Sequence, residues 1–137
     1  MRMDKFMAIP MVLSVVLSVP AQADDSVDAL LATYRSQGAG EFDARAGAAL
    51  WERPFTHAKT PGTRSCATCH TDDPRRAGRH LRTKKSIEPL APSANPKSLV
   101  DIAKIRKWLK RNCRWTLGRE CTAQEKGDLL TFVKNTS

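Results

Sequence analysis

The chain has 137 residues, 23 of them Lys or Arg against 14 Asp or Glu, giving a formal charge of +9, and it contains four cysteines. That length holds one small hydrophobic core and leaves no room for a second domain. The basic balance excludes the acidic, solvating class of chain and directs attention to nucleic acid, an anionic membrane or an acidic protein face as partner.

The chain opens as an export signal. Met1 to Lys5 carries two basic residues against one acidic, Phe6 to Val19 is apolar, and Ala21-Gln22-Ala23 supplies the small residues of a cleavage site. The apolar run is short for the ~20 residues of a bilayer span, and its longest uninterrupted stretch lies between Pro10 and Pro20. Cleavage before Asp24 is therefore expected in preference to an uncleaved anchor. Residues 24–137 would then form one soluble domain with 21 basic and 13 acidic residues, a formal +8. In a bacterium its compartment would be the periplasm, where disulfides persist.

A first helix is expected from about Ser26 to Arg35. Val27, Leu30, Leu31 and Tyr34 fall at i, i+3, i+4 and i+7, Asp24 and Asp25 suit the positive N-terminal end, and Gly38 and Gly40 stop it. The stripe reads as core packing and not as a binding surface. A second helix is expected over Phe42 to Arg53, ended by Pro54, with Phe42, Ala46, Ala49, Leu50 and Arg53 sharing a face and Gly47 leaving a notch. Residues 54–65 are polar and hold Pro54, Pro61 and Gly62, so they read as a loop.

That loop leads into Cys66-Ala67-Thr68-Cys69-His70. C-x-x-C followed at once by His is the attachment signature of a c-type haem: the Cys66 and Cys69 thiols add across the two vinyl groups, and His70 is the proximal iron ligand. C-x-x-C also occurs in zinc sites, which want a second ligand pair, and in thioredoxin-like motifs, which want a βαβ setting; this chain supplies neither. One covalent haem c is the expected cofactor.

From Thr71 to Asn95 there is little periodicity, and Pro74, Gly78, Pro89 and Pro92 argue against long regular structure. Ile87, Leu90 and Ala91 form a short apolar run expected to lie against the haem or the core. Two basic clusters stand out: Arg75, Arg76, Arg79, Arg82, Lys84 and Lys85 after the haem motif, then Lys104, Arg106, Lys107, Lys110 and Arg111. For an exported redox protein an acidic partner is favoured over nucleic acid, although scattered cations also serve solubility alone.

A third helix is expected from Pro96 to about Arg111. Asn95 serves as N-cap, Pro96 as first residue, and Leu99, Ile102, Ala103, Ile105, Trp108 and Leu109 as a broad inward face. Asn112 falls just past it, in a C-cap position. A last helix opens on the capping box Thr122-Ala123-Gln124-Glu125 and continues through Leu129, Leu130, Phe132 and Val133. Between these helices lie Cys113 and Cys121. With two cysteines consumed by thioethers, this pair in an oxidising compartment is expected as a disulfide, stabilising by about 2–3 kcal/mol.

The whole reads as all-α around a haem. Gly47 to Trp51, Cys66 to His70 and Leu129 to Val133 together resemble the class I cytochrome c pattern. The resemblance implies that Gly47 sits where the helix before the haem crosses the C-terminal helix. Class I cytochromes place a Met late in the chain as sixth ligand, whereas all four Met here (Met1, Met3, Met7, Met11) precede residue 24.

His57 or His80 could complete the iron shell instead, giving a simple low-potential bis-His electron carrier, although a His in a polar loop is usually solvated. The run Trp108 to Cys113, with Cys121 eight residues on and Glu88 to Ala94 upstream, resembles the SHP-type monohaem cytochromes c. That resemblance implies a class I fold with one extra disulfide, Cys113 to Cys121. It also implies Asn112 as sixth ligand to oxidised iron, and oxygen binding after reduction. A dihaem cytochrome c, with or without a membrane cytochrome b, is implied as electron donor.

The chemistry agrees. A neutral amide oxygen is a hard, weak donor that suits ferric better than ferrous iron, so reduction should loosen it and free the site for O₂, NO or CO. Trp108 and Trp115 would wall the haem pocket, unless they are ordinary core. No group of convincing identity delivers protons, so electron transfer with diatomic binding is expected and not a dedicated enzymatic reaction.

Overall fold

The structure, a computed structural model, describes residues 22–58 and 60–137. The expected export signal falls almost wholly on residues 1–21 and lies outside the described residues. Five helices alternate with two short antiparallel ribbons: α1 (Ala23–Ser36), α2 (Ala44–Glu52), β1 (Phe55–His57), β2 (Thr60–Arg64), α3 (Ala67–His70), β3 (Gly78–Arg79), β4 (Ser86–Ile87), α4 (Ile102–Leu117) and α5 (Ala123–Asn135). Among the described residues no helix is long and apolar enough to cross a membrane.

The stripe Val27, Leu30, Leu31 and Tyr34 is buried as expected, and it packs with Ile105 of α4 and Leu130 of α5. A second cluster joins Leu50 and Trp51 of α2, Leu129 and Val133 of α5, and the two cysteines 113 and 121. Cys66, Ala67, Leu90, Leu99 and Leu109 lie against this second cluster, so the haem motif and α4 share it. Ala91 is fully buried, and the backbone N–H groups of Leu90 and Ala91 both donate to Pro74 O (2.9 and 3.0 Å).

Helices α2 and α5 cross at Gly47. A Cβ there would collide with the Asp128 carbonyl and come within 2.8 Å of Phe132 Cβ, so only hydrogen allows this approach. The buried Asp128 carboxylate accepts from Asp43 N (2.9 Å) and from Gln124 Nε2 (3.0 Å), tying α5 to the start of α2.

Three expectations are corrected. Residues 54–65 are not a plain loop: Phe55–His57 and Thr60–Arg64 pair as a bulged hairpin. Pro61 is tolerated because a two-stranded ribbon leaves one edge without partners. The third helix does not begin at Pro96. Asn95 instead caps a turn, donating to Pro89 O (2.9 Å), Leu99 takes a positive φ of 57°, and Asp101 is the N-cap, its carboxylate accepting from Lys104 N (3.0 Å). The helix then runs to Leu117 and ends on left-handed Gly118, so Asn112 is inside α4 and is not its C-cap.

The capping box of α5 is formed: Glu125 N donates to Thr122 Oγ1 (3.1 Å) and Thr122 N to Glu125 Oε2 (2.8 Å). The Arg119 guanidinium, hydrogen-bonded to Glu125, holds that carboxyl below the usual carboxylate range. A depressed carboxyl pKa contributes stability at neutral pH and loses it as pH falls through the lowered value. Glu125→Gln should therefore cost about 1 kcal/mol in urea unfolding at pH 7, the difference shrinking below about pH 4.

Candidate functional site

The attachment motif is a single turn. Within it His70 N donates to Cys66 O (3.1 Å) and Ser65 N to Thr68 Oγ1 (2.9 Å), which places Cys66, Cys69 and His70 together. Thr71 ends the turn at φ 64°, a left-handed conformation costly for a β-branched residue. Two residues given no part in the site from sequence hold it there. Trp51 Nε1 donates to Thr71 O (2.8 Å) while its ring lies 5.5 Å from the His70 ring. Gly78 lies under the motif, where a Cβ would collide with the Cys69 carbonyl and stand 3.0 Å from His70 Cα. Trp51 stands in the Gly47-to-Trp51 pattern on the helix before the motif, and Gly78 reads from sequence only as a break in regular structure, with no sign of its contact with the motif.

Burial lowers the pKa of His70, favouring the neutral imidazole whose lone pair can bind a metal. Burial also pushes the free Cys66 thiol up to about 11, with Cys69 adding a smaller push. These thiols stand in for the sulfurs of thioethers. A thiol raised this far is the reverse of the low-pKa nucleophile of a thioredoxin-like motif. Among the described residues no group of three or more His, Cys, Asp and Glu gathers to hold a metal ion. Two cysteine sulfurs and a half-buried imidazole on one turn fit covalent attachment of a haem.

On α4, Asn112 follows Trp108 by four residues and precedes Trp115 by three, so the three leave the same flank of the helix. Ile105, Cys113 and Thr116 are buried. Trp108 and Trp115 are 43% and 39% exposed, so neither is ordinary core. Each indole has a guanidinium over it, Arg111 at 5.4 Å from Trp108 and Arg64 at 4.6 Å from Trp115. Large exposed indoles on one flank of a helix are surface that a flat apolar group would cover. Next to Asn112, Cys113 is bonded to Cys121, and both are buried.

Each of the two remaining histidines makes a hydrogen bond within the protein through one of its two ring nitrogens. His57 Nε2 lies 2.7 Å from Thr116 O, and a carbonyl only accepts, so that nitrogen carries the proton and donates. His80 Nδ1 accepts from Thr83 N (3.1 Å) in the turn between β3 and β4.

The chain is similar to known proteins along most of its length. Residues 37–133 match the family described as a domain of unknown function (DUF1924). The cytochrome c-type protein SHP of Cereibacter sphaeroides is 47% identical over 124 residues, which cover 90% of this chain and 95% of that protein. The structure of oxidised SHP, described as an oxygen-binding cytochrome c, superposes with a TM-score of 0.71 at 45% identity, covering 78% of this chain and 94% of that one. The solution structure of Methylophilus methylotrophus cytochrome c'', described in terms of haem-ligand detachment, has a TM-score of 0.69 at 27% identity, covering 84% and 94%. With this identity across nearly the whole relative, and a helical fold to match, the chain belongs to the DUF1924 family and to the SHP-type c-type cytochromes, and its cofactor is one haem c.

Proposed function

We propose that this protein is a periplasmic electron carrier that, once reduced, binds O₂ or another diatomic such as NO where Asn112 has withdrawn. In this reading cleavage after Ala23 releases residues 24–137. Cys66 and Cys69 carry the thioethers, His70 is the proximal ligand, Asn112 is the sixth ligand of the oxidised form, and Trp108 and Trp115 line the distal wall. When bound, the haem supplies a redox-active iron with one exchangeable position.

The observation that carries the reading is the setting of Asn112. It lies inside α4 between two exposed indoles, in a chain with no Met beyond residue 11. Unlike Asn95, whose amide donates to Pro89 O, Asn112 has no hydrogen-bond partner for its amide among the described residues. A free amide oxygen is a weak, hard donor that prefers the ferric state, and after release the amide remains a hydrogen-bond donor to an incoming diatomic. The description of SHP as oxygen-binding, and of cytochrome c'' in terms of haem-ligand detachment, supports the same chemistry here. The implied electron donor is a dihaem cytochrome c or a membrane cytochrome b.

Absorption spectra of the oxidised and reduced protein, with and without CO, test this. The expected result is a ferrous form that is high-spin and takes up CO at once. A ferrous form that stays low-spin and ignores CO would support the bis-His carrier instead. Asn112→Ala should leave the haem attached and alter the oxidised spectrum; a ferric spectrum identical to wild type would remove Asn112 from the iron.

A further inference from the structure

The backbone of α4 leaves its last carbonyls without intrahelical partners, and these are satisfied from two directions. Arg114 O accepts from Gly118 N (3.1 Å), the ordinary helix-ending bond. Thr116 O accepts from His57 Nε2 at 2.7 Å, and Trp115 O faces Arg64 Nη1 at a longer 3.4 Å. Both side chains come from the β1–β2 hairpin. The hairpin grips the last turn further: the Arg64 guanidinium lies over the Trp115 ring, and the His57 ring packs on Gly118, where a Cβ would stand 3.0 Å from His57 Cε1.

The same hairpin runs directly into the haem motif, with Ser65 alone separating Arg64 from Cys66. A single strand therefore connects the turn that carries the proximal histidine with the end of the helix that carries Asn112. Thr116 lies one helical turn beyond Asn112, so a bond to its carbonyl restrains the segment that must move for the Asn112 side chain to approach or leave the iron. Thr116 is itself buried, which makes the His57 bond one that water does not readily replace.

We infer that His57, seconded by Arg64, is a positioning residue that holds the last turns of α4 so that Asn112 reaches the oxidised iron, and thereby sets how readily it lets go. This rests on the reading of Asn112 as sixth ligand. His57 touches no reacting atom in this role; its whole effect passes through the backbone of α4.

Cyanide binding to the ferric protein measures it, because cyanide can enter only after the native sixth ligand departs. His57→Phe keeps a ring over Gly118 and removes the donor; it should speed cyanide association by roughly three- to tenfold, the factor of one hydrogen bond. His57→Gln, which retains an N–H donor, should restore a rate near wild type. Arg64→Met, at a surface position where folding is not at stake, should give a smaller acceleration of about two- to threefold. In an Asn112→Ala background cyanide should already bind fast, and His57→Phe should add nothing.

A wild-type rate in both His57→Phe and Arg64→Met, or an equal acceleration with and without Asn112, would overturn the inference while leaving Asn112 as ligand. Should Asn112→Ala itself match wild type in ferric spectrum and cyanide rate, the ligand reading fails and this inference fails with it. If His57→Phe does not fold, the Arg64→Met rate alone decides, and a wild-type value counts against the inference.

Discussion

Gly47→Val is expected to cost at least about 3 kcal/mol and to lower the thermal midpoint by roughly 10–20 °C in a domain of this size. The usual ledger for a helical glycine points the other way, since an Ala or Val loses less backbone entropy than glycine on entering a helix. Here the geometry reverses the sign. The new Cβ would run into the backbone carbonyl of Asp128, which α5 cannot move without carrying its own hydrogen-bond ladder along. It would also press on Phe132 Cβ, a root atom that no rotamer change relocates. Gly47→Ala should therefore also destabilise, by about 2 kcal/mol, despite its propensity gain. Gly38 provides the contrast. Its φ is 95° with open space around it, so Gly38→Ala should cost only the local strain of about 1–2 kcal/mol and leave the crossing intact. Unfolding of the haem-loaded protein, followed by far-ultraviolet circular dichroism, separates these outcomes. A Gly47→Val protein as stable as wild type would mean that the α2–α5 crossing can open without loss.

What was legible in the sequence was whatever depends on local periodicity and on fixed chemical spacing. The α1 stripe, the Thr122/Glu125 capping box, the haem motif and the cysteine pair are short-range patterns, and each appears where its spacing places it. The start of α4 was misplaced because Asn95-Pro96 is a strong local start signal that tertiary context overrides. Asn95 spends its amide on Pro89 O, Leu99 adopts a left-handed turn, and Asp101, six residues after Asn95, provides the cap. At its other end α4 runs on to Leu117, which puts Asn112 in the helix interior, where an amide side chain has no capping role to explain it. The hairpin was hidden for a different reason: its value lies in contacts to Thr116 and Trp115, 59 and 51 residues away, and no local pattern encodes them.

The last expectation concerns Trp51, which links the core to the candidate haem site. Its ring stands edge-on to Phe132 at 5.7 Å and tilted against His70 at 5.5 Å, and its Nε1 donates to Thr71 O. The close approach at Gly47 brings Phe132 near enough to support Trp51, and Trp51 in turn backs the imidazole and fastens the strained residue that follows it. Trp51→Ala should lose about 3–5 kcal/mol of stability, the cost of emptying a buried aromatic site. Trp51→Phe keeps much of the packing and loses only the bond to Thr71 O, leaving that carbonyl short of a donor at a residue already held at positive φ; about 1–3 kcal/mol is expected. The two variants should differ at the haem as well. With a ring retained, His70 keeps its wall, and the reduced spectrum and CO uptake should stay close to wild type. With Ala, the imidazole gains room to tilt, and the ferrous spectrum should broaden or shift even under conditions where the protein remains folded. If Trp51→Ala changed stability alone and left both oxidised and reduced spectra untouched, the indole would be core filling, and the orientation of His70 would rest on the turn itself and on Gly78 beneath it.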